Sequence, residues 1–212
     1  GFRLAPGGAQ EYFGIQADLV TYGKTLGGGY PVGVVCGKHK WMKRWKEKRP
    51  ADICFARGTF NAHPVVMSAM KAFLDEIEKP EIQALYEGLD ERWNQRCEKF
   101  NHTMRKFDFP IQATNMSSVW TISYTQPGRY HWLLQFYLRA EGLALSWVGT
   151  GRLIFSLNYG ETEFQAVLDR FVSAAKKMSE DGWWWQNPQL TYRNIRLRIL
   201  RETLGWSEKT SD

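Results

Sequence analysis

The sequence predicts an α/β fold, because predicted strands alternate with helices or long loops and the sequence has few hairpin signals. Short apolar runs typical of strands occupy residues 18–22, 32–36 and 53–56, and helical patterns or long loops separate them. The hydrophobic share is 43%, with 15% aromatic residues, in a chain of 212 residues. A chain of this length and composition buries a sizeable core and forms one or two domains.

Composition also argues against several kinds of protein. No apolar run is long enough to cross a bilayer, so no membrane partner is predicted. The cysteines Cys36, Cys54 and Cys97 are odd in number and irregularly spaced. They favour a reducing, cytoplasmic location over a disulfide framework. The four histidines lack the spacing of metal ligands, so no metal site is predicted.

A lysine follows the first predicted strand. Lys24 stands between Gly23 and Thr25, just before three consecutive glycines. Three interpretations apply: a solvated lysine beside a turn, a phosphate loop, or a Schiff-base lysine whose amine condenses with a carbonyl. The phosphate loop fails, because its first glycine position holds Asp18. The local pattern leaves the other two interpretations open.

Part of the net charge of +6 lies in a basic stretch, residues 38–49, which also contains two tryptophans. Basic residues among aromatics suit nucleic-acid binding. They also suit a solvated helix in which Trp41, Met42 and Trp45 pack inward while the lysines face water. We favour the helix, because no nucleic-acid motif accompanies the charge, and we predict no nucleic-acid partner.

Two amphipathic helices are predicted in the middle of the chain. Pro64 opens the first, which a Lys-Pro pair ends at residues 79–80. The second is long and runs over residues 82–104, with apolar residues at spacings of three and four.

The remaining elements alternate between strands and helices. Alternation predicts a half-buried strand at residues 120–124, and then a buried helix at 132–138, a strand at 152–158 and a helix at 161–178. Beyond residue 182, four arginines interleave with apolar residues and predict a basic amphipathic tail. We favour a terminal helix docked on the domain, or on a part of the domain missing from this chain, over a membrane or partner contact.

The residues around Lys24 resemble class III aminotransferases, which are pyridoxal-phosphate (PLP) enzymes of fold type I. The similarity is closest to the glutamate-1-semialdehyde aminomutase group and extends to the aminotransferase domains of peptide and polyketide synthases. A second similar block, residues 57–64, follows at the expected distance. The first block consists of Gly1-Phe2-Arg3, Gly8-Ala9-Gln10, Tyr12-Phe13-Gly14, Ala17-Asp18-Leu19, Gly23-Lys24, Gly27-Gly28-Gly29 and Pro31-Val32-Gly33.

The resemblance implies the C-terminal half of a fold-type I PLP-dependent transferase, with part of the large-domain sheet and a small α+β C-terminal domain. Residues 1–80 would belong to the PLP-binding large domain. Residues 81–182 would form the small domain with its linking helix, and residues 183–212 the basic tail. We therefore expect the chain to be part of a longer enzyme.

The resemblance also implies site residues. Lys24 would be the Schiff-base lysine, and we expect a pocket of glycine and apolar residues to remove it from water. Thr59, with Gly58, would meet the PLP phosphate bound in the neighbouring subunit, so the protein would be a homodimer with a shared active site. Arg152 would bind the substrate carboxylate, although Phe155 and Ser156 replace two prolines of that motif. Without the resemblance, an ordinary strand-end threonine and an arginine paired with a local acid explain Thr59 and Arg152 as well.

The implied function is PLP-dependent transfer of an amino group between an amino donor and a carbonyl acceptor. One alternative is intramolecular transfer of the glutamate-1-semialdehyde 2,1-aminomutase type. Others are an inactive fragment and a non-enzymatic basic binding module.

Overall fold

The structure is a computed structural model that describes residues 1–42, 58–145, 151–187 and 189–206. The chain divides into two compact units, Gly1–Leu89 and Asp90–Asp212. The predicted strand at residues 53–56, Cys54 and most of the basic stretch lie outside the described residues. The three-part division inferred from the resemblance stays a prediction.

A two-stranded antiparallel ribbon organises the first unit. Its strands β1 and β2 pair from Leu19 opposite Gly37 to Gly23 opposite Gly33. Both predicted strands are present, but the expected burial of the first is wrong, since Leu19 is 52% exposed. A ribbon of two strands leaves much of its surface open. The elements of this unit are α1 (Ala9–Phe13), β1 (Leu19–Gly23), a 3₁₀ turn (Lys24–Gly27), β2 (Gly33–Gly37), α2 (His39–Met42), α3 (Pro64–Ile77), α4 (Pro80–Gln83) and a second 3₁₀ turn (Ala84–Tyr86).

The long helix predicted over residues 82–104 is interrupted. After the second 3₁₀ turn, Glu87 is extended and Gly88 has a positive φ of 60°. The left-handed conformation of Gly88 ends the helical hydrogen bonding, and glycine adopts it without steric cost. A new helix, α5, begins at Leu89 and runs to Lys106.

A three-stranded antiparallel sheet in the order β3-β4-β5 forms the centre of the second unit. The strand predicted at 120–124 is confirmed as part of β4, while the strand predicted at 152–158 is shorter than expected. The first strand of the sheet, β3, was not predicted. After α5, the elements are β3 (Ile111–Met116), β4 (Val119–Tyr124), a 3₁₀ turn (His131–Leu133), α6 (Leu134–Ala140), β5 (Arg152–Ile154), α7 (Glu161–Glu180) and α8 (Tyr192–Thr203).

Aromatic side chains fill the core of the second unit. Trp120 of β4 is 1% exposed and contacts rings from α5, α7 and the end of β5. The helix predicted at 161–178 is confirmed as α7, and its apolar stripe is buried. Asn101 of α5 joins the helix to the sheet, because its side chain accepts from the Ala113 amide at 2.7 Å and donates to the Ala113 carbonyl at 2.9 Å.

The imidazole of His131 is buried against the turn that follows β4. It is 9% exposed and stacks on Tyr124 with ring centroids 4.2 Å apart. Among the described residues, nothing accepts a hydrogen bond from its Nε2. A Cβ on Gly128 would lie 2.4 Å from this nitrogen, so the turn closes over the imidazole. Burial lowers the pKa of His131 below its ordinary 6.5, because the site does not solvate the charged form.

This burial predicts a loss of stability in acid. The unfolded chain binds a proton at His131 near pH 6.5, whereas the folded chain binds it only at lower pH. Folding stability contributed by His131 is therefore present above about pH 6.5 and falls as the pH drops through the lowered pKa. Urea unfolding at about pH 7.5 and about pH 5 measures the loss, and His131→Phe is expected to make it smaller. An equal loss in the variant would mean that His131 does not carry the effect.

The predicted basic amphipathic tail forms helix α8, which Thr191 caps by accepting from the Asn194 amide at 3.1 Å. The Tyr192 hydroxyl donates to the Tyr124 carbonyl at 2.7 Å and ties the first turn of the helix to β4. No residue of α8 is buried within the part of the chain that the structure describes. Its apolar side chains are therefore not packed on the described residues of the domain, and docking on a part of the protein outside this chain stays a prediction.

Candidate active site

Lys24 lies at the end of β1, where the strand enters the 3₁₀ turn, and its backbone is strained. Its φ is +50°, in the left-handed region that residues with a Cβ rarely occupy. Such conformations persist only where the surroundings impose them, and they are enriched in active sites. Here the paired β1–β2 ribbon holds both ends of the turn. Ala62, Asp108 and Ser117 share this left-handed φ, so the strain adds to the motif at Lys24 and does not identify a functional residue by itself.

The glycines after Lys24 are required by the geometry of the turn. A Cβ on Gly27 would lie 2.7 Å from Cγ1 of Val32, closer than side-chain contacts allow. Gly28 has a φ of +57°, and its amide donates to the Thr25 carbonyl at 3.0 Å. These positions let the chain reverse tightly into β2.

The motif at the start of the chain packs against this region. The Phe2 ring stacks on Tyr22 of β1 at 5.2 Å and meets the edge of Phe73 of α3 at 5.0 Å. The Tyr86 hydroxyl donates to the Phe2 carbonyl. Burial raises the pKa of Tyr86 and lowers that of Arg3. The segment thus packs against β1 and α3.

The expected pocket around Lys24 is not formed by the described residues. The Lys24 side chain is exposed, and within residues 1–42 and 58–145 no carboxylate pairs with its ammonium. Lys38 differs, because its Nζ lies 2.9 Å from a carboxylate oxygen of Asp18. The side chain of Lys24 is open to solvent at the end of the ribbon. The expected burial of Lys24 is therefore wrong for the described residues.

Gly58 and Thr59 line a concave surface together with residues 30–33 and the start of α3. Both residues are exposed, and Lys24 is not part of this lining. The first turn of α3 has no side-chain cap, so its amides are not satisfied by a capping side chain. A hydroxyl beside an uncapped helix N-terminus has the chemistry of an anion site.

Arg152 lies in the second unit, at the first residue of β5 and opposite Thr121 of β4. Its side chain is exposed and lines a groove that β5 and α7 form. The alternative of a local acidic partner finds no support among the described residues, where no carboxylate pairs with Arg152. Tyr159 and Arg170 line the same groove and were missed by sequence reasoning, because a single arginine on a helix resembles any solvated residue.

The described residues contain no cluster of three metal-ligating side chains and no helix long and apolar enough to cross a membrane. The described cysteines, Cys36 and Cys97, are both free thiols.

Comparisons with known proteins identify relatives of this chain. The model of the family "Aminotransferase class-III" matches residues 7–174. Glutamate-1-semialdehyde 2,1-aminomutase of Ruminiclostridium cellulolyticum is 39% identical over 120 residues, which are 56% of this chain and 26% of that protein. The enzyme of the same name from Hyperthermus butylicus is 49% identical over 79 residues, or 37% of this chain and 18% of that protein. The matched segments thus span about a quarter or less of these relatives.

Solved structures show the same likeness over more of the chain. An omega-transaminase from Sphaerobacter thermophilus has a TM-score of 0.65 and 25% identity, covering 80% of this chain and 41% of that one. A β-phenylalanine aminotransferase from Variovorax paradoxus has a TM-score of 0.65 and 27% identity, covering 85% and 42%. The predicted fold class, part of a fold-type I transferase, is confirmed by this likeness.

Proposed function

The chain belongs to the class III aminotransferase family, and we propose that it transfers an amino group between an amino donor and a carbonyl acceptor with Lys24 as the Schiff-base lysine. The observation that carries the proposal is the position of Lys24. The family match surrounds it, and its strained backbone stands at the end of a strand before a glycine-rich turn. Class III aminotransferases use pyridoxal 5′-phosphate, which is therefore the cofactor.

The residues present fit this cofactor. Lys24 supplies an exposed primary amine, the group that attaches the cofactor covalently through Nζ. The Thr59 hydroxyl and the uncapped N-terminus of α3 supply donors for a phosphate. Because Lys24 does not share the concave surface around Thr59, these residues suit two different sites of a homodimer. We propose that Thr59, next to Gly58, contacts the phosphate bound to the neighbouring subunit.

When bound, the cofactor supplies the electron sink for breaking a bond at the substrate carbon. The protein supplies position and proton transfer. Lys24 Nζ is the base that takes the proton from the substrate carbon and later returns one. This role needs an uncharged amine at Nζ. Arg152 binds and orients the substrate carboxylate, since its planar guanidinium matches a carboxylate with two parallel hydrogen bonds.

The partners are a small amino donor and a small carbonyl acceptor. The absence of nucleic-acid and membrane partners, and the cytoplasmic location inferred from the cysteines, stay predictions. The runner-up function is intramolecular amino transfer of the aminomutase type, which the curated relatives favour by name. Product analysis separates the two, because an aminomutase needs no second carbonyl compound.

The test of the proposal is chemical labelling of the chain. We expect added pyridoxal phosphate to give a visible absorption band, and borohydride reduction to leave a pyridoxyl group on Lys24. Peptide mapping by mass spectrometry locates the label. A label on another lysine such as Lys38, or no specific label under conditions that label a known transaminase, would contradict the proposal.

A further inference from the structure

A groove in the second unit combines an apolar floor with a few polar side chains. It lies between residues 142–145, β5 and α7 and has a volume of about 580 Å³. Its polar lining consists of Arg152, Tyr159, Glu163 and Arg170, and most of the remaining lining is aliphatic or aromatic. Concave apolar surfaces with a few convergent polar groups are typical of small-molecule sites.

The charges in this groove favour an anion. Arg152 and Arg170 are both exposed, and no described carboxylate forms an ion pair with either guanidinium. The carboxylate of Glu163 accepts from the Gly160 amide at 2.9 Å and is thereby held at the start of α7. Arg170 is near enough to Glu141 to help lower the pKa of that carboxylate, but the carboxylate forms its ion pair with Lys177. Both arginines therefore retain donors for a ligand.

The apolar side chains limit the kind of anion. Ile154 is 52% exposed beside Arg152, while Phe155 and Phe171 lie beneath as buried floor. An inorganic ion would leave this apolar surface in water. An organic acid with an apolar body covers it and places its carboxylate at the arginines.

We propose that Arg170 is a second anion-binding residue of the groove that Arg152 lines, and that the substrate is a carboxylic acid with an apolar body. The proposal rests on the proposed role of Arg152 in binding the substrate carboxylate. Arg170 then determines specificity, because it adds a charge-assisted hydrogen bond to the same anionic group.

Direct binding to the full chain tests this inference without any turnover. We would titrate 3-phenylpropanoate, and its neutral amide 3-phenylpropanamide, into the chain and follow backbone amide shifts by NMR. Saturable shifts are expected at residues of β5 and α7 with the acid. The dissociation constant is expected to rise about tenfold or more in Arg170→Gln and in Arg152→Gln. Lys176→Gln is the matched control, because it also removes one positive charge from α7. Lys176 pairs with Glu180 and does not line the groove.

Each other outcome overturns a defined part of the inference. Weaker binding in Arg152→Gln alone would remove Arg170 from the site and leave Arg152 in place. Equal weakening in Lys176→Gln would reduce the effect to net charge. Equal affinity for the amide, or no saturable binding, would exclude carboxylate recognition in the groove. Labelling of Lys24 is independent of Arg170, so failure of that label beside intact acid binding would overturn the aminotransferase proposal alone.

Discussion

Replacing Lys24 by alanine is expected to abolish amino transfer and covalent attachment of the cofactor. Lys24 Nζ has two proposed roles, covalent attachment of the cofactor and proton transfer. Alanine has no amine and can perform neither role. Loss of a general base alone lowers rates by about 10²–10⁴-fold, so the combined loss is expected to be at least that large. The measurement is the rate at which the chain with added cofactor moves an amino group from donor to acceptor, together with the borohydride label.

Two comparison variants separate chemistry from fold in this experiment. Lys38→Ala removes a neighbouring lysine that pairs with Asp18 and is expected to retain the activity and the label. Lys24→Gly is expected to be as inactive as Lys24→Ala but more stable by about 1 kcal/mol, because glycine tolerates a φ of +50°. Retained activity in Lys24→Ala would remove Lys24 from the mechanism, and equal stability of the two variants would argue against backbone strain.

The proposed sharing of the site has its own consequence for these variants. If Thr59 serves the site of the neighbouring subunit, Lys24→Ala and Thr59→Ala chains are inactive or weak alone. A mixture allowed to exchange subunits then contains sites with both native residues. Recovery of activity on mixing is the expected result. No recovery, despite exchange of subunits shown by mass spectrometry, would contradict the sharing of Lys24 and Thr59 between subunits.

Strong periodicity made some elements predictable from sequence. The helix predicted at 161–178 is α7, Glu161–Glu180, because its apolar residues recur at helical spacing over five turns and pack in the core. The helix predicted at 82–104 was wrong in its first part, since Gly88 breaks it. An isolated glycine does not reveal its φ, and the apolar spacing continues across the break. β3 was missed because its residues, Ile111–Met116, alternate only weakly in polarity.

For the candidate site too, some features could be predicted from the sequence and others could not. The motif drew attention to Lys24, but residue identity alone does not show that its φ is positive. Nor does the sequence show its exposure, which depends on which elements cover the ribbon. Arg170 joins Arg152 only through the packing of α7 beside β5, a tertiary relation that no local pattern encodes.

Replacing Trp120 by alanine is expected to cause the largest loss of stability in the second unit. The Trp120 ring meets Phe155 at 5.3 Å, Phe100 at 5.7 Å, Trp93 at 5.9 Å and Phe164 at 6.0 Å. It therefore joins β4 to α5, α7 and the residue after β5. Truncation of such a residue to alanine costs about 3–5 kcal/mol, through lost burial and the cavity left behind. Domains are typically stable by only about 5–15 kcal/mol, so this loss is a large fraction of the total.

Trp120→Phe is expected to cost much less, for a reason specific to this site. The Trp120 Nε1 is buried and finds no acceptor among the described residues, so tryptophan carries an uncompensated donor here. Phenylalanine removes that donor and keeps an aromatic ring against the four neighbours. The matched control is Trp132→Ala, at a tryptophan 56% exposed in the same unit, where a change within about 0.5 kcal/mol is expected. Urea unfolding followed by circular dichroism measures all three. Equal costs for Trp120→Phe and Trp120→Ala would show that a phenyl ring does not retain the packing at this position, whereas equal costs for Trp120→Ala and Trp132→Ala would place Trp120 outside the core.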